Sequence, residues 1–166
     1  MKIKTIIFVI TILLILSCKE EKTTFDNVAL NETFVQKNGE KIQFKDILKK
    51  NEGKTIFIDI WASWCSDCVA GIPEFKKLQA EEKEVTYVML SLDKTEDLWE
   101  AGIKKHKLEA QHYLFTKKWK ESGFCKSIDL DWIPRYMIVG KDGAIKMYKA
   151  IKLEDKAIKN TIKEDK

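Results

Sequence analysis

At 166 residues, the chain is long enough for one domain with a proper core and too short for two. Its 30 basic and 26 acidic side chains leave a net charge of +4, mixed along the chain, which excludes the clustered basic face of a nucleic-acid binder. Four cysteines, Cys18, Cys65, Cys68 and Cys125, carry most of the chemical information, and their meaning depends on the compartment.

The N-terminus bears on that compartment. Lys2 and Lys4 precede an uncharged run from Thr5 to Leu16, followed by Ser17 and Cys18. A basic start, a short apolar core and a small residue before a cleavage point are the parts of a secretory signal. The run is too short to span a bilayer comfortably. Ile15-Leu16-Ser17-Cys18 resembles a bacterial lipobox. That resemblance implies removal of residues 1–17, lipidation of the Cys18 sulfur, and a domain held at a membrane by acyl chains. Residues 18–30 are expected to be a polar tether, and residues 31–166 the folded domain. The expected location is exported, at a bacterial membrane, facing the periplasm or the cell surface.

Thr33–Gln36 and Lys41–Phe44 flank Asn38-Gly39 and predict a hairpin, with a short helical turn from Asp46. Lys54–Trp61 is almost continuously apolar and β-branched, the pattern of a strand buried on both faces. Val69–Glu82 predicts a helix with Pro73 inside it. Glu84–Leu92 reads as a second buried strand. Glu96–His106 reads as an amphipathic helix with Leu98, Trp99, Gly102 and Ile103 facing in. Gln111–Phe115 is a short strand, and Trp119–Ile128 a helix interrupted at Gly123. Arg135–Val139 and Ala144–Tyr148 form a hairpin across Gly140-Lys141-Asp142-Gly143. Leu153–Lys163 is a final helix with Ala157, Ile158 and Ile162 inward. Alternating strands and helices predict an α/β domain whose parallel-containing sheet is covered on both faces.

Cys65 and Cys68 fall where the first buried strand gives way to a helix. Two cysteines three apart on a first helical turn can bridge. The first sulfur then meets unpaired backbone N–H groups and the positive end of the helix dipole, which favour the thiolate. A thiolate is the species that attacks a disulfide. Cys65 is thus the candidate nucleophile and Cys68 the candidate resolving thiol. A zinc pair is the competing reading, but zinc needs four ligands, and only Cys125, His106 and His112 are left over. A structural disulfide also fits the spacing.

The stretch Phe57-Ile58-Asp59-Ile60-Trp61-Ala62-Ser63-Trp64-Cys65-Ser66-Asp67-Cys68 resembles the active-site strand and turn of the thioredoxin superfamily, in its extracytoplasmic TlpA/ResA-like branch. Pro73, Ile133-Pro134 and Asp142-Gly143 match further family positions. The resemblance implies a thioredoxin-like three-layer α/β/α sandwich with a mixed sheet, an N-terminal β-hairpin and a central insertion within Asp93–Trp119. It implies a redox-active Cys65–Cys68 disulfide and a cis peptide bond at Pro134. It implies that Asp59 is a buried acid able to take the proton of Cys68. Trp64, Trp132, Ile133 and Pro134 would line the substrate groove, and Arg135 would stabilise a thiolate, meet an acidic substrate or form a surface salt bridge.

Two positions depart from the branch. Asp67 stands where proline is common, and an acid there disfavours a neighbouring thiolate, which predicts a reducing pair. Gly71 stands where glutamate is common. Cys125, beside Phe124 and Ile128, reads as a packed cysteine.

The expected function is reduction or isomerisation of protein disulfides outside the cytoplasm. Protein thiols and disulfides would be the substrates, and a membrane-linked donor would supply electrons. No metal, cofactor or nucleic acid is expected, and the chain is expected to act as a monomer. Two alternatives are a binding or assembly module on a thioredoxin scaffold, holding metal as a chaperone does, and a thiol peroxidase.

Overall fold

The computed structural model describes residues 22–154 and 156–166; the signal segment and Cys18 lie outside them. The elements are α1 (Asn27–Leu30), β1 (Thr33–Gln36), β2 (Lys41–Gln43), α2 (Phe44–Lys50), β3 (Ile56–Trp61), α3 (Ser66–Glu81) and β4 (Thr86–Ser91). Then come α4 (Glu96–His106), β5 (Gln111–Phe115), α5 (Gly123–Ser127), β6 (Arg135–Val139), β7 (Ile145–Ala150) and α6 (Lys156–Glu164). Among the described residues the strands form one sheet in the order β2-β1-β5-β4-β3-β6-β7. β3 runs parallel to β4, and β4 parallel to β5; the other pairings are antiparallel. This is the mixed α/β architecture expected from the sequence.

Every residue of β3 is buried, because the strand is paired on both edges and covered on both faces. Its odd residues face α3. Phe57 meets Phe75 of α3 at 6.2 Å between ring centroids, and Asp59 lies across from Met89 and Tyr136. The crossovers β3–α3–β4 and β4–α4–β5 step the same way along the sheet, and equal handedness puts α3 and α4 on one face. Lys76 Nζ donates to His106 O at 2.8 Å and Gln79 Nε2 to Glu109 O at 2.5 Å, joining α3 to the end of α4. A Lys159–Glu81 ion pair at 2.6 Å ties α6 to α3. On the opposite face Phe124 of α5 packs against Phe25, Phe34, Phe44 and Phe115.

Phe25 belongs to the segment expected as a tether. It packs edge-on to Phe44 at 4.8 Å, and Lys22 pairs with Asp129 at 3.2 Å. Ile145 N–H donates to Thr23 O at 2.7 Å, so the chain from Lys22 onward is docked on the domain. The fold therefore begins earlier than residue 31.

Several boundaries differ from the sequence expectation. Phe44 opens α2 instead of closing β2, and its ring is fully buried. α3 begins at Ser66 rather than Val69, which places Cys65 at its N-cap and Cys68 in its first turn. α5 starts at Gly123 rather than being interrupted there. Ser122 caps it by accepting Cys125 N–H at 3.1 Å, and a Cβ on Gly123 would lie 2.6 Å from Val28 Cγ1. Leu98 and Ala157 face outward, while Trp99, Gly102, Ile103, Ile158 and Ile162 face the core. Asp93–Trp119, the expected insertion, supplies α4 and β5, and β5 bonds the N-terminal hairpin to the rest of the sheet. Among the described residues no helix is long and apolar enough to cross a membrane.

Phe124 touches four other phenylalanines, so Phe124→Ala leaves a cavity that the surrounding rings cannot all close. The expected loss is about 3–5 kcal/mol, read as a lower urea midpoint with little change in slope.

Candidate active site

β3 ends at Trp61, and Ala62–Trp64 carries the chain into α3. Cys65 has extended backbone angles and is the N-cap residue of that helix. Its sulfur takes the place of the usual capping oxygen and accepts Cys68 N–H at 3.1 Å. The two cysteines are joined in a disulfide, with Cα atoms 5.3 Å apart. Both are buried, at 6% and 5% exposure, so only a narrow aspect of the bridge meets solvent. In the reduced pair the same N–H groups and helix dipole would favour a thiolate on Cys65.

The Ile133–Pro134 bond is cis, and Ile133 O lies 3.7 Å from Cys65 Sγ. Trp64 and Trp132 line the same pocket as Cys65, and each is 58% exposed. With Trp119, Ser66, Asp67, Asp131 and Ile133 they line a pocket of about 310 Å³ that contains Cys65. Thus Trp64, Cys65, Trp132 and Ile133, separated by up to 69 positions in sequence, share one groove. Trp119 and Asp131 were not singled out by the sequence. The signal in Trp119 was masked because its neighbourhood reads as helix, whereas it sits in a turn.

Asp59 lies beneath α3 on the same face of the sheet as Tyr136. Its Oδ1 has no hydrogen-bond partner among the described residues. Burial raises its pKa from 3.8 to about 8, because nothing nearby compensates a buried charge. Tyr136, also raised by burial and then by the charge of Asp59, reaches up to α3. A Cβ at Gly71 would lie 3.0 Å from its hydroxyl, so Tyr136 occupies the space that a side chain at position 71 would need.

A second buried carboxylate braces the loop from the other side. Asp93 accepts Ser63 N–H on both oxygens at 3.2 and 3.1 Å, Ser63 Oγ–H at 2.7 Å and Ser91 Oγ–H at 2.7 Å. These bonds hold Ser63 two residues before Cys65. α4 closes over the same spot, since a Cβ on Gly102 would lie 2.6 Å from Ser63 Cβ. In sequence Asp93 reads as an ordinary acid after a strand.

Arg135 forms an ion pair, as one of the expected roles had it, but from a fully buried position on the α5 face of the sheet rather than from the surface. Its guanidinium donates to Ile128 O at 3.2 Å, Asp129 O at 3.4 Å and Asp131 Oδ1 at 2.5 Å. It therefore pins the segment leading into Trp132–Pro134. Cys125 is buried in α5, and burial pushes its thiol up to about 11, far from a reactive range at neutral pH. His112 is buried, with Nε2 3.1 Å from Leu108 O. Among the described residues no three His, Cys, Asp or Glu side chains gather as a metal site.

A family model described as thioredoxin-like matches residues 53–145, more than half of the chain. The chain belongs to the thioredoxin-like family. This thioredoxin-like chain is 28% identical over 160 residues to the thiol-disulfide oxidoreductase ResA of Bacillus cereus, covering 87% of each. Among solved structures it is similar to a thiol-disulfide oxidoreductase from Bacteroides fragilis, at 24% identity and a TM-score of 0.66, covering 80% of this chain and 94% of that one. A thiol:disulfide interchange protein from a Bacteroides species is 22% identical with a TM-score of 0.67, over 86% and 88%. At these identities the two structures speak to the fold alone.

The state of Asp59 has a measurable consequence. Between about pH 4 and 8 the unfolded chain ionises this group while the folded chain keeps its proton. The folded state then binds more protons, so stability falls as pH rises through that window and levels off above it. Asp59→Asn removes this slope. In oxidised proteins the variant's stability relative to wild type should rise by a few kcal/mol between pH 5 and 8 in urea titrations. A difference independent of pH would show that Asp59 ionises normally.

Proposed function

We propose that this chain reduces or isomerises protein disulfides outside the cytoplasm through the Cys65/Cys68 pair. Its class is thiol–disulfide oxidoreductase. One observation carries the reading of the site: Cys65 caps α3 with its sulfur bonded to Cys68 N–H at 3.1 Å, beside Ile133 O and an open groove. A structural bridge has no need of a groove at its sulfur.

The reaction begins with the reduced pair. Cys65 thiolate attacks one sulfur of a substrate disulfide; that bond breaks, and the other substrate sulfur leaves as a thiolate. A mixed disulfide now joins Cys65 to the substrate. Cys68 loses its proton and attacks Cys65 Sγ, releasing the second substrate thiolate and leaving the pair oxidised. Two electrons have passed to the substrate, and a dithiol donor at the membrane restores the pair. Asp59 receives the Cys68 proton in its ionised form, which is the minor form at neutral pH and grows as the pH approaches 8. Its pKa of about 8 is close to that of an ordinary thiol near 8.5, so the transfer costs little in either direction. Trp64, Trp132 and Ile133 line the surface that receives the substrate, the buried cis-Pro134 turns the chain behind Ile133, and Arg135 acts by holding their loop.

Export and lipid anchoring through Cys18 rest on the order of basic, apolar and small residues before that cysteine. The reducing direction rests on Asp67. It occupies an exposed position in the first turn of α3, two residues after Cys65, where its negative charge disfavours a Cys65 thiolate.

Cys65→Ala should abolish reduction of insulin disulfides. Cys68→Ala should accumulate mixed disulfides with substrate proteins, visible as reductant-sensitive bands on gels. Full activity in both variants would end this reading. Asp67→Asn should raise the reduction potential, by up to about 30 mV, the equivalent of a tenfold change in the exchange equilibrium. Redox titration against glutathione measures it, and an unchanged or lower value contradicts the role given to Asp67.

A further inference from the structure

Trp119 lies in the turn between β5 and α5, outside any helix or strand. Its indole N–H donates to Leu130 O at 3.2 Å, tying the ring to the segment that leads into Trp132 and Ile133. The turn is held from beneath by Glu32, whose side chain is 1% exposed. Glu32 pairs with Lys117 Nζ at 3.1 Å and accepts Ser122 Oγ–H at 3.1 Å and Phe124 N–H at 3.0 Å. Burial opposes its charge, but Phe124, Lys117 and Ser122 together outweigh burial and hold its pKa below the ordinary value. Bonds on both sides of residue 119 therefore converge on one buried carboxylate. Trp119 is a fixed wall of the groove.

The contents of the groove limit what can enter it. Cys65 lines it, so any sulfur that exchanges with Cys65 brings its neighbouring residues into the same 310 Å³. A cysteine side chain covers little of the space between Trp64, Trp119 and Trp132. Indole faces are best covered by another ring or by a flat apolar side chain. The rim carries two acids that differ in their partners. Asp131 is matched by Arg135 and by Lys149, each at 2.5 Å. Asp67, exposed on the first turn of α3, has no ion pair among the described residues. One negative charge at the mouth is left for the incoming chain to match.

We propose that this groove selects protein disulfides in which the attacked cysteine is flanked by an aromatic residue and by a lysine or arginine, with Trp119 as the specificity-determining wall. The inference rests on the redox reading of Cys65 and Cys68 and names the substrate class of that site. The exchange is the one already written: the Cys65–substrate bond forms as the substrate disulfide breaks, and the released thiolate leaves past the aromatic wall.

Single-turnover rates with the fully reduced protein test the idea without a donor. The substrates are disulfide-linked peptides that differ only beside the cysteine, as Phe or Ala on one side and Lys or Glu on the other. Bis(2-hydroxyethyl) disulfide, too small to fill the groove, reports on the redox chemistry alone. In wild type the Phe peptide should react on the order of tenfold faster than the Ala peptide, and the Lys peptide faster than the Glu peptide. Trp119→Ala should collapse the Phe/Ala ratio towards one, and Asp67→Asn the Lys/Glu ratio. Loss of a merely structural contact would lower both rates of a pair together and leave the ratio intact. Trp119→Phe keeps a ring without the bond to Leu130 and should give an intermediate ratio, which covers the case of an unfolded alanine variant. Equal wild-type rates for Phe and Ala peptides, with the small disulfide still reduced, would overturn the selectivity and spare the redox function. Failure of every disulfide, the small one included, would overturn both.

Discussion

The site depends on β3 being paired on both edges and buried on both faces. Parallel pairing with β4 and antiparallel pairing with β6 fix the strand from Ile56 to Trp61. Its end is then fixed too, and the chain must turn there into α3. That geometry puts Cys65 at a helix N-terminus, where a sulfur can accept Cys68 N–H and a thiolate finds a favourable field. The next strand along the sheet, β6, follows directly from Pro134, so the same pairing that fixes Cys65 brings Ile133 O to within 3.7 Å of it.

Three buried carboxylates around this centre are treated in three ways. Asp59 has an oxygen without a partner, and it keeps its proton up to about pH 8. Asp93 is surrounded by neutral donors, two serine hydroxyls and a backbone N–H, and it orients the loop before Cys65. Glu32 is matched by an ammonium group, a hydroxyl and a backbone N–H, and it orients the turn carrying Trp119. An unsatisfied acid is suited to moving protons, and a satisfied one to holding geometry.

Much of the fold was legible because it rests on local pattern. The apolar run of β3, the Asn38-Gly39 turn and most of the inward face of α4 (Trp99, Gly102 and Ile103 but not Leu98) are written in residue spacing, and the Cys65/Cys68 pair in its own motif. The misplaced elements depend on long-range partners. The start of α5 at Gly123 reflects Glu32, ninety residues earlier, bonding Ser122 and Phe124. The docking of residues 22–30 depends on Phe25 finding Phe44 and Phe124, which no local period announces. Arg135 looks like a surface residue until the left-handed turn at Asp129 brings two carbonyls and Asp131 around it. Trp119 and Asp93 were missed for the same reason: their neighbours in space are not their neighbours in sequence.

The bond from Ile145 N–H to Thr23 O has a consequence for a protein whose substrates are the thiols and disulfides of other proteins. Any extended backbone brought to the protein could add to an open sheet edge. Here one edge is β2, three residues long and fronted by an exposed Lys41; the other is β7, which shows Lys146 and Lys149 to solvent and has an N–H already occupied by the docked N-terminal segment. Short, lysine-bearing and covered edges resist strand addition. Extended chains are thereby left the groove beside Cys65 as their place of contact, and neither sheet edge offers a template for strand pairing.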